Sequence, residues 1–108
     1  MILNRLIVPE GNPVTFYLNH SENGMEYVIG RDEYYYINIS DENDPSFVCR
    51  HWETNQKYFD FESTLPEGRY VFEIGLRKAD GSGIVILPAL DERRHPLNEL
   101  LILRRLGE

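Results

Sequence analysis

Residues 64–77, Thr-Leu-Pro-Glu-Gly-Arg-Tyr-Val-Phe-Glu-Ile-Gly-Leu-Arg, decide the fold class. Pro66-Glu67-Gly68 is a turn that opens onto a strand with Tyr70, Phe72, Ile74 and Leu76 on one face. Val71, Glu73, Gly75 and Arg77 take the other face. Side chains of an extended chain point alternately to opposite sides, so this period of two marks a β-strand buried on one face only. Downstream, Asp80-Gly81-Ser82-Gly83 turns the chain into residues 84–87, which Pro88 closes, and a hairpin with strand 69–77 is the natural connection.

Upstream the pattern repeats. Residues 2–8 form a first strand, stopped by Pro9 and turned by Glu10-Gly11-Asn12. Val14, Phe16 and Leu18 alternate with Thr15, Tyr17 and Asn19 in a second. Asn23-Gly24 supplies the positive φ angles of a tight hairpin, with residues 26–29 as its return strand and Gly30-Arg31-Asp32 as its end. Residues 34–40 form another strand with Tyr35, Ile37 and Ile39 inward, and residues 47–52 and 58–62 read as a looser pair joined by 53–57.

Residues 97–106 admit two readings. Leu97, Leu100, Leu103 and Leu106 recur at helical spacing, whereas Leu100-Leu101-Ile102-Leu103 suits a strand buried on both faces. The strand is favoured because it completes the sheets. The chain is therefore expected to be all-β: one domain over residues 1–108, a small antiparallel β-sandwich, immunoglobulin-like or jelly-roll-like, of eight or nine short strands, or a small barrel.

Composition agrees. A chain of 108 residues buries enough surface for one core without metals or disulfides. Its 42% apolar and 27% charged residues are ordinary for a folded domain, and the 7 Tyr, 5 Phe and 1 Trp suit pleated surfaces. A formal charge of −7 repels phosphate backbones and anionic membranes, so neither nucleic acid nor membrane is an expected partner. Cys49 is alone, which excludes an internal disulfide and favours a reducing compartment. Leu6-Ile7-Val8 before Pro9 is too short for a signal peptide or a span, so synthesis in the cytoplasm is expected.

Catalytic and metal signals are weak. Asp41-Glu42-Asn43-Asp44 lacks calcium-loop spacing and reads as a solvated inter-strand loop. His20, His51 and His95 lie far apart, no nucleophile–base pair is visible, and Cys49 reads as a structural thiol. No enzyme activity, cofactor or metal is expected. The candidate binding residues are aromatic and apolar: Tyr34 and Tyr36 are expected to point outward, Trp52 lies nearby in an undetermined relation, and Leu101 and Leu103 are expected at an interface.

The order of motifs resembles small phage virion domains. The closest kind is the N-terminal domain of the baseplate upper protein family in phages of Gram-positive bacteria. Leu6-Ile7-Val8-Pro9-Glu10-Gly11-Asn12 and then Val14-Thr15-Phe16-Tyr17-Leu18 resemble the opening of those domains. Gly30-Arg31-Asp32 before Tyr34–Ile39, Gly68-Arg69-Tyr70-Val71-Phe72-Glu73-Ile74, Asp80-Gly81 and Ile86-Leu87-Pro88 resemble their later turns and strands. The resemblance implies a non-enzymatic structural or adaptor protein of a phage or prophage tail or baseplate. Its expected partners are copies of itself or other virion proteins, and its expected location is the cytoplasm at synthesis and then the virion. The alternative is a carbohydrate-binding sandwich with Tyr34, Tyr36 and Trp52 as a stacking platform for glycan.

Overall fold

A computed structural model describes residues 4–104, all of them strand, turn or loop. They form eleven strands: β1 (Arg5–Pro9), β2 (Pro13–Leu18), β3 (Ser21–Glu22), β4 (Met25–Glu26), β5 (Glu33–Asp41), β6 (Val48–Thr54), β7 (Tyr58–Glu62), β8 (Gly68–Lys78), β9 (Val85–Leu87), β10 (Ala89–Leu90) and β11 (Glu99–Leu103). The larger sheet runs β1-β11-β8-β5-β6, with β9 also paired to β8, and the smaller runs β10-β2-β7. All these pairs are antiparallel except β1 with β11.

The alternation read from sequence places the core. Val14, Phe16 and Leu18 of the small sheet face Tyr35, Ile37, Ile39, Tyr70, Ile74, Leu76, Leu100 and Ile102 of the large one, all buried. Each such side chain taken fully out of water contributes roughly 1.5–3 kcal/mol. Register carries the pattern across strands, since Tyr35, Ile37 and Ile39 sit opposite Leu76, Ile74 and Phe72. The Asn23-Gly24 turn forms as expected, with φ of 54° and 76° at its two central residues.

The order β11-β8-β5-β6 facing β2-β7 is like that of strands G-F-C-C′ facing B-E in an immunoglobulin variable domain, but here β10 lies beside β2 and no strand lies beyond β7 among the described residues. Two local features belong to the same arrangement. The Tyr70 hydroxyl donates to the Pro66 carbonyl at 2.8 Å, a corner that ties the start of the F-like strand to the turn before it. Two residues on, where antibody domains carry a cysteine bonded across the sheets, Phe72 meets Phe16 edge-to-face with centroids 4.8 Å apart. An aromatic contact thus joins the sheets at the place of the disulfide.

Several expectations are corrected. The expected hairpin of β8 with β9 does form, over Ile74–Leu76, but it is short, and β11 takes that edge at Gly68–Tyr70. Between them the chain leaves for the small sheet and adds β10 beside β2. Segments 47–52 and 58–62 do not pair; they lie in different sheets and meet through Trp52 stacked on Phe61 at 4.1 Å. The hairpin return is only Met25–Glu26, and residues 27–30 are loop. The C-terminal segment is a strand over Glu99–Leu103, but not one buried on both faces, because Leu101 is half-buried and Leu103 exposed. Of the expected segments 2–8 and 97–106, residues 2, 3, 105 and 106 lie outside the described part.

Candidate interaction surface

The outward face of the large sheet holds four of the five candidate binding residues. Its centre is a lattice of polar and aromatic side chains on β5, β6 and β8. Tyr36 points outward, as alternation demands, yet it is only 2% exposed. The reason is Gly75 on the neighbouring strand, directly opposite Tyr36. With no side chain there the phenol lies flat on the backbone, so close that a Cβ would come within 2.6 Å of its hydroxyl. Arg77 covers the ring from the same strand, with its guanidinium carbon 5.2 Å from the centroid, and the Tyr36 hydroxyl donates to Glu73 at 3.0 Å. Burial first, and the hydrogen bond to Glu73 second, push the phenol up to about 12, so it stays protonated near neutral pH.

His51 completes the lattice. Its ring lies 6.3 Å from that of Tyr36, Nδ1 meets the Asn38 side-chain oxygen, and Nε2 meets Glu53 at 2.9 Å. Tyr36, Glu73, Asn38, His51 and Glu53 thus find partners within the cluster, while Arg77 Nε is buried without a hydrogen-bond partner. A network so connected rigidifies the sheet. Tyr34 is half-buried at its margin.

Trp52 is not part of this face. It pairs with Ile37, a core residue, and points into the sandwich, where it packs on Phe61 and the core. The stacking platform of Tyr34, Tyr36 and Trp52 is therefore not assembled: the strand that carries Trp52 directs it to the opposite side from both tyrosines.

The corner of the same sheet is different. β1 and β11 run in parallel with Arg5, Ile7 and Pro9 opposite Glu99, Leu101 and Leu103. Ile7 is 52% and Leu103 43% exposed, and Leu101 between them is half-buried, so the three form an apolar ridge. Arg5 Nε closes one end 2.7 Å from Glu99 Oε1, an ion pair too far off line to be a hydrogen bond. β1 is also the edge of the sheet, with no strand on its outer side among the described residues. Pro9 withholds one N–H from that edge, but a hollow of about 560 Å³ lies along it, bounded by β1, Thr15, Tyr17 and the 91–97 segment. Ile7 is the residue sequence reading missed. Its signal was present, an apolar residue on the outward parity of an edge strand, but only the parallel register shows that it meets Leu101.

Other candidates are structural. The Cys49 thiol donates to the Ile39 carbonyl at 3.1 Å, at the bulge where β6 carries one residue more than β5. In the acidic loop Asp41 accepts from the Asn43 N–H at 2.8 Å and Asp44 from the Ser46 hydroxyl at 3.0 Å. No group of three metal-ligating side chains converges among the described residues. Comparison with known proteins finds no matching family model, no matching curated protein and no matching solved structure.

Proposed function

We propose that this chain is a non-enzymatic structural or adaptor module that works through protein–protein contacts, in the setting of a phage or prophage tail or baseplate. The observation that carries the reading is the ridge of Ile7, Leu101 and Leu103 beside the edge of β1, which no strand pairs among the described residues. Exposed apolar side chains that adjoin free backbone donors and acceptors combine the two features by which one sheet recruits another strand or face. The virion setting rests on the motif order alone. The partner is a second copy of this chain or another protein of the particle.

Light scattering over a range of concentrations and co-purification with assembled particles test the reading. Leu103→Glu and Ile7→Glu are expected to abolish self-association or incorporation while circular dichroism stays that of a folded sheet. A strict monomer that never enters a particle overturns it. The genes flanking this one test the setting separately, since tail or capsid neighbours are expected.

A further inference from the structure

The outward face of the small sheet carries a second arrangement, independent of the ridge. Tyr17 and Tyr58 are register partners on β2 and β7, both on the side away from the core, and Tyr58 is 44% exposed. The chain that leaves β8 for the small sheet then lays Arg94 over Tyr17, its guanidinium carbon 5.5 Å from the ring centroid. Asp91 fixes that loop, its Oδ1 accepting from the backbone N–H of Arg93 and of His95 at 2.9 Å each. Arg94 itself is held at φ 65°, a left-handed conformation uncommon for a residue with a side chain.

Lys57 stands on the other side. Its ammonium donates to the His20 carbonyl at 2.7 Å and meets Glu26 at 3.2 Å. An ammonium has three donors, so one is left over among the described partners. Glu26 is held loosely, 77% exposed on a two-residue strand. These residues line a hollow of about 390 Å³, large enough for a ring-sized ligand. Two cations and an open phenol thus converge on a chain whose formal charge is −7, with Glu26 the one acid lining the hollow among the described residues.

We infer that this hollow binds an acidic saccharide, a sugar ring that bears a carboxylate or a phosphate. The C–H face of the ring lies on Tyr58. Its anionic group sits between Lys57 and Arg94, whose planar guanidinium matches either anion with two parallel hydrogen bonds. Glu26 competes for Lys57 and is displaced on binding. A linear anion would leave the phenol unused, and a neutral sugar would leave both cations unused.

Titration of the protein with glucuronic acid, glucose 6-phosphate, glucose and inorganic phosphate, monitored by amide chemical shifts, tests the inference. At least one of the two acidic sugars is expected to shift the amides around Lys57, Tyr58 and Arg94, and to bind more tightly than either glucose or inorganic phosphate. Arg94→Gln is expected to weaken that binding about tenfold, the worth of one charge-assisted contact, and Tyr58→Ser to weaken it about fivefold by removing the stacking ring. Glu26→Gln is expected to strengthen it, an effect that a purely structural role for the loop does not produce. All three substitutions are at the surface, and the amide spectrum of each variant reports whether it is folded. Glucose binding as tightly as the acidic sugars overturns the inference, as does phosphate binding equally well with no dependence on Tyr58. Absence of any shift with all four ligands at about 10 mM, well above a millimolar dissociation constant, does the same.

Discussion

The centre and the corner of one sheet face differ in a way that exposure on a strand does not foretell. At the centre, Tyr36 points to solvent and is buried, because Gly75 makes room beneath it and Arg77, Glu73 and His51 close around it. At the corner, Ile7 and Leu103 point the same way and stay open, because β1 has no further strand beside it among the described residues. Side chains on an outward face become structure where neighbouring strands supply partners. They remain available for recognition where the sheet ends.

The strongest test of this contrast is Gly75→Ala. The added Cβ would collide with the Tyr36 ring, which must swing out and lose Glu73 and Arg77. A net loss of about 1–3 kcal/mol in chemical denaturation is expected, since overpacking outweighs the gain from replacing a strand glycine. A smaller change would show that the phenol is not held there.

Alkaline pH gives the next effect. Tyr36 keeps its proton more tightly folded, at about 12, than at its ordinary value of 10.0. The unfolded chain therefore ionises first. The associated stability is present below about pH 10 and is lost as pH rises towards 12, ~2 kcal/mol of it by about pH 11.5 for this group. Tyr36→Phe is expected to flatten that part of the profile relative to the natural chain, measured by denaturation at pH 9 and pH 11.5.

At neutral pH the same substitution removes only the hydrogen bond to Glu73, and a loss of about 1 kcal/mol is expected from thermal unfolding. The corner sits at the small end. Leu103→Ser is expected to change monomer stability by less than about 0.5 kcal/mol, as at other open surface sites. If Leu103→Ser instead destabilises as much as Gly75→Ala, the corner is packed like the centre and the contrast fails.

Much of the fold was legible because it is local. The alternation of Tyr70, Phe72, Ile74 and Leu76 was read correctly and so was that of Tyr35, Ile37 and Ile39, since a period of two needs no knowledge of the partner strand. Asn23-Gly24 announced its turn for the same reason. The spacing from Pro66 to Tyr70 lies within five residues and forms the corner hydrogen bond. The motifs behind the phage resemblance largely serve this architecture: Tyr70 closes the corner and Phe72 packs across the sheets on Phe16.

The candidate surface was legible only in part. Parity put Tyr34 and Tyr36 outward, but the burial of Tyr36 depends on a glycine 39 positions later in the chain, brought opposite by strand pairing. A glycine inside a strand signals close approach, though not of which side chain. Trp52 was separated from the tyrosines by register, because its opposition to Ile37 turns it inward. Tyr17, Tyr58, Lys57 and Arg94 come from three separate stretches of chain, and nothing local joins them.

The residues alone determined that the chain forms short strands, which side of most of them is apolar, and where it turns. These outcomes come from backbone geometry and the sorting of side chains between water and the interior, both of which act within a few residues. Tertiary structure alone decided which strands became neighbours, that the path from β9 to β11 is interrupted by an excursion to the other sheet, and which outward side chains are covered. Those outcomes depend on contacts between residues far apart in sequence, whose free energies exist only once the sheets have closed on each other.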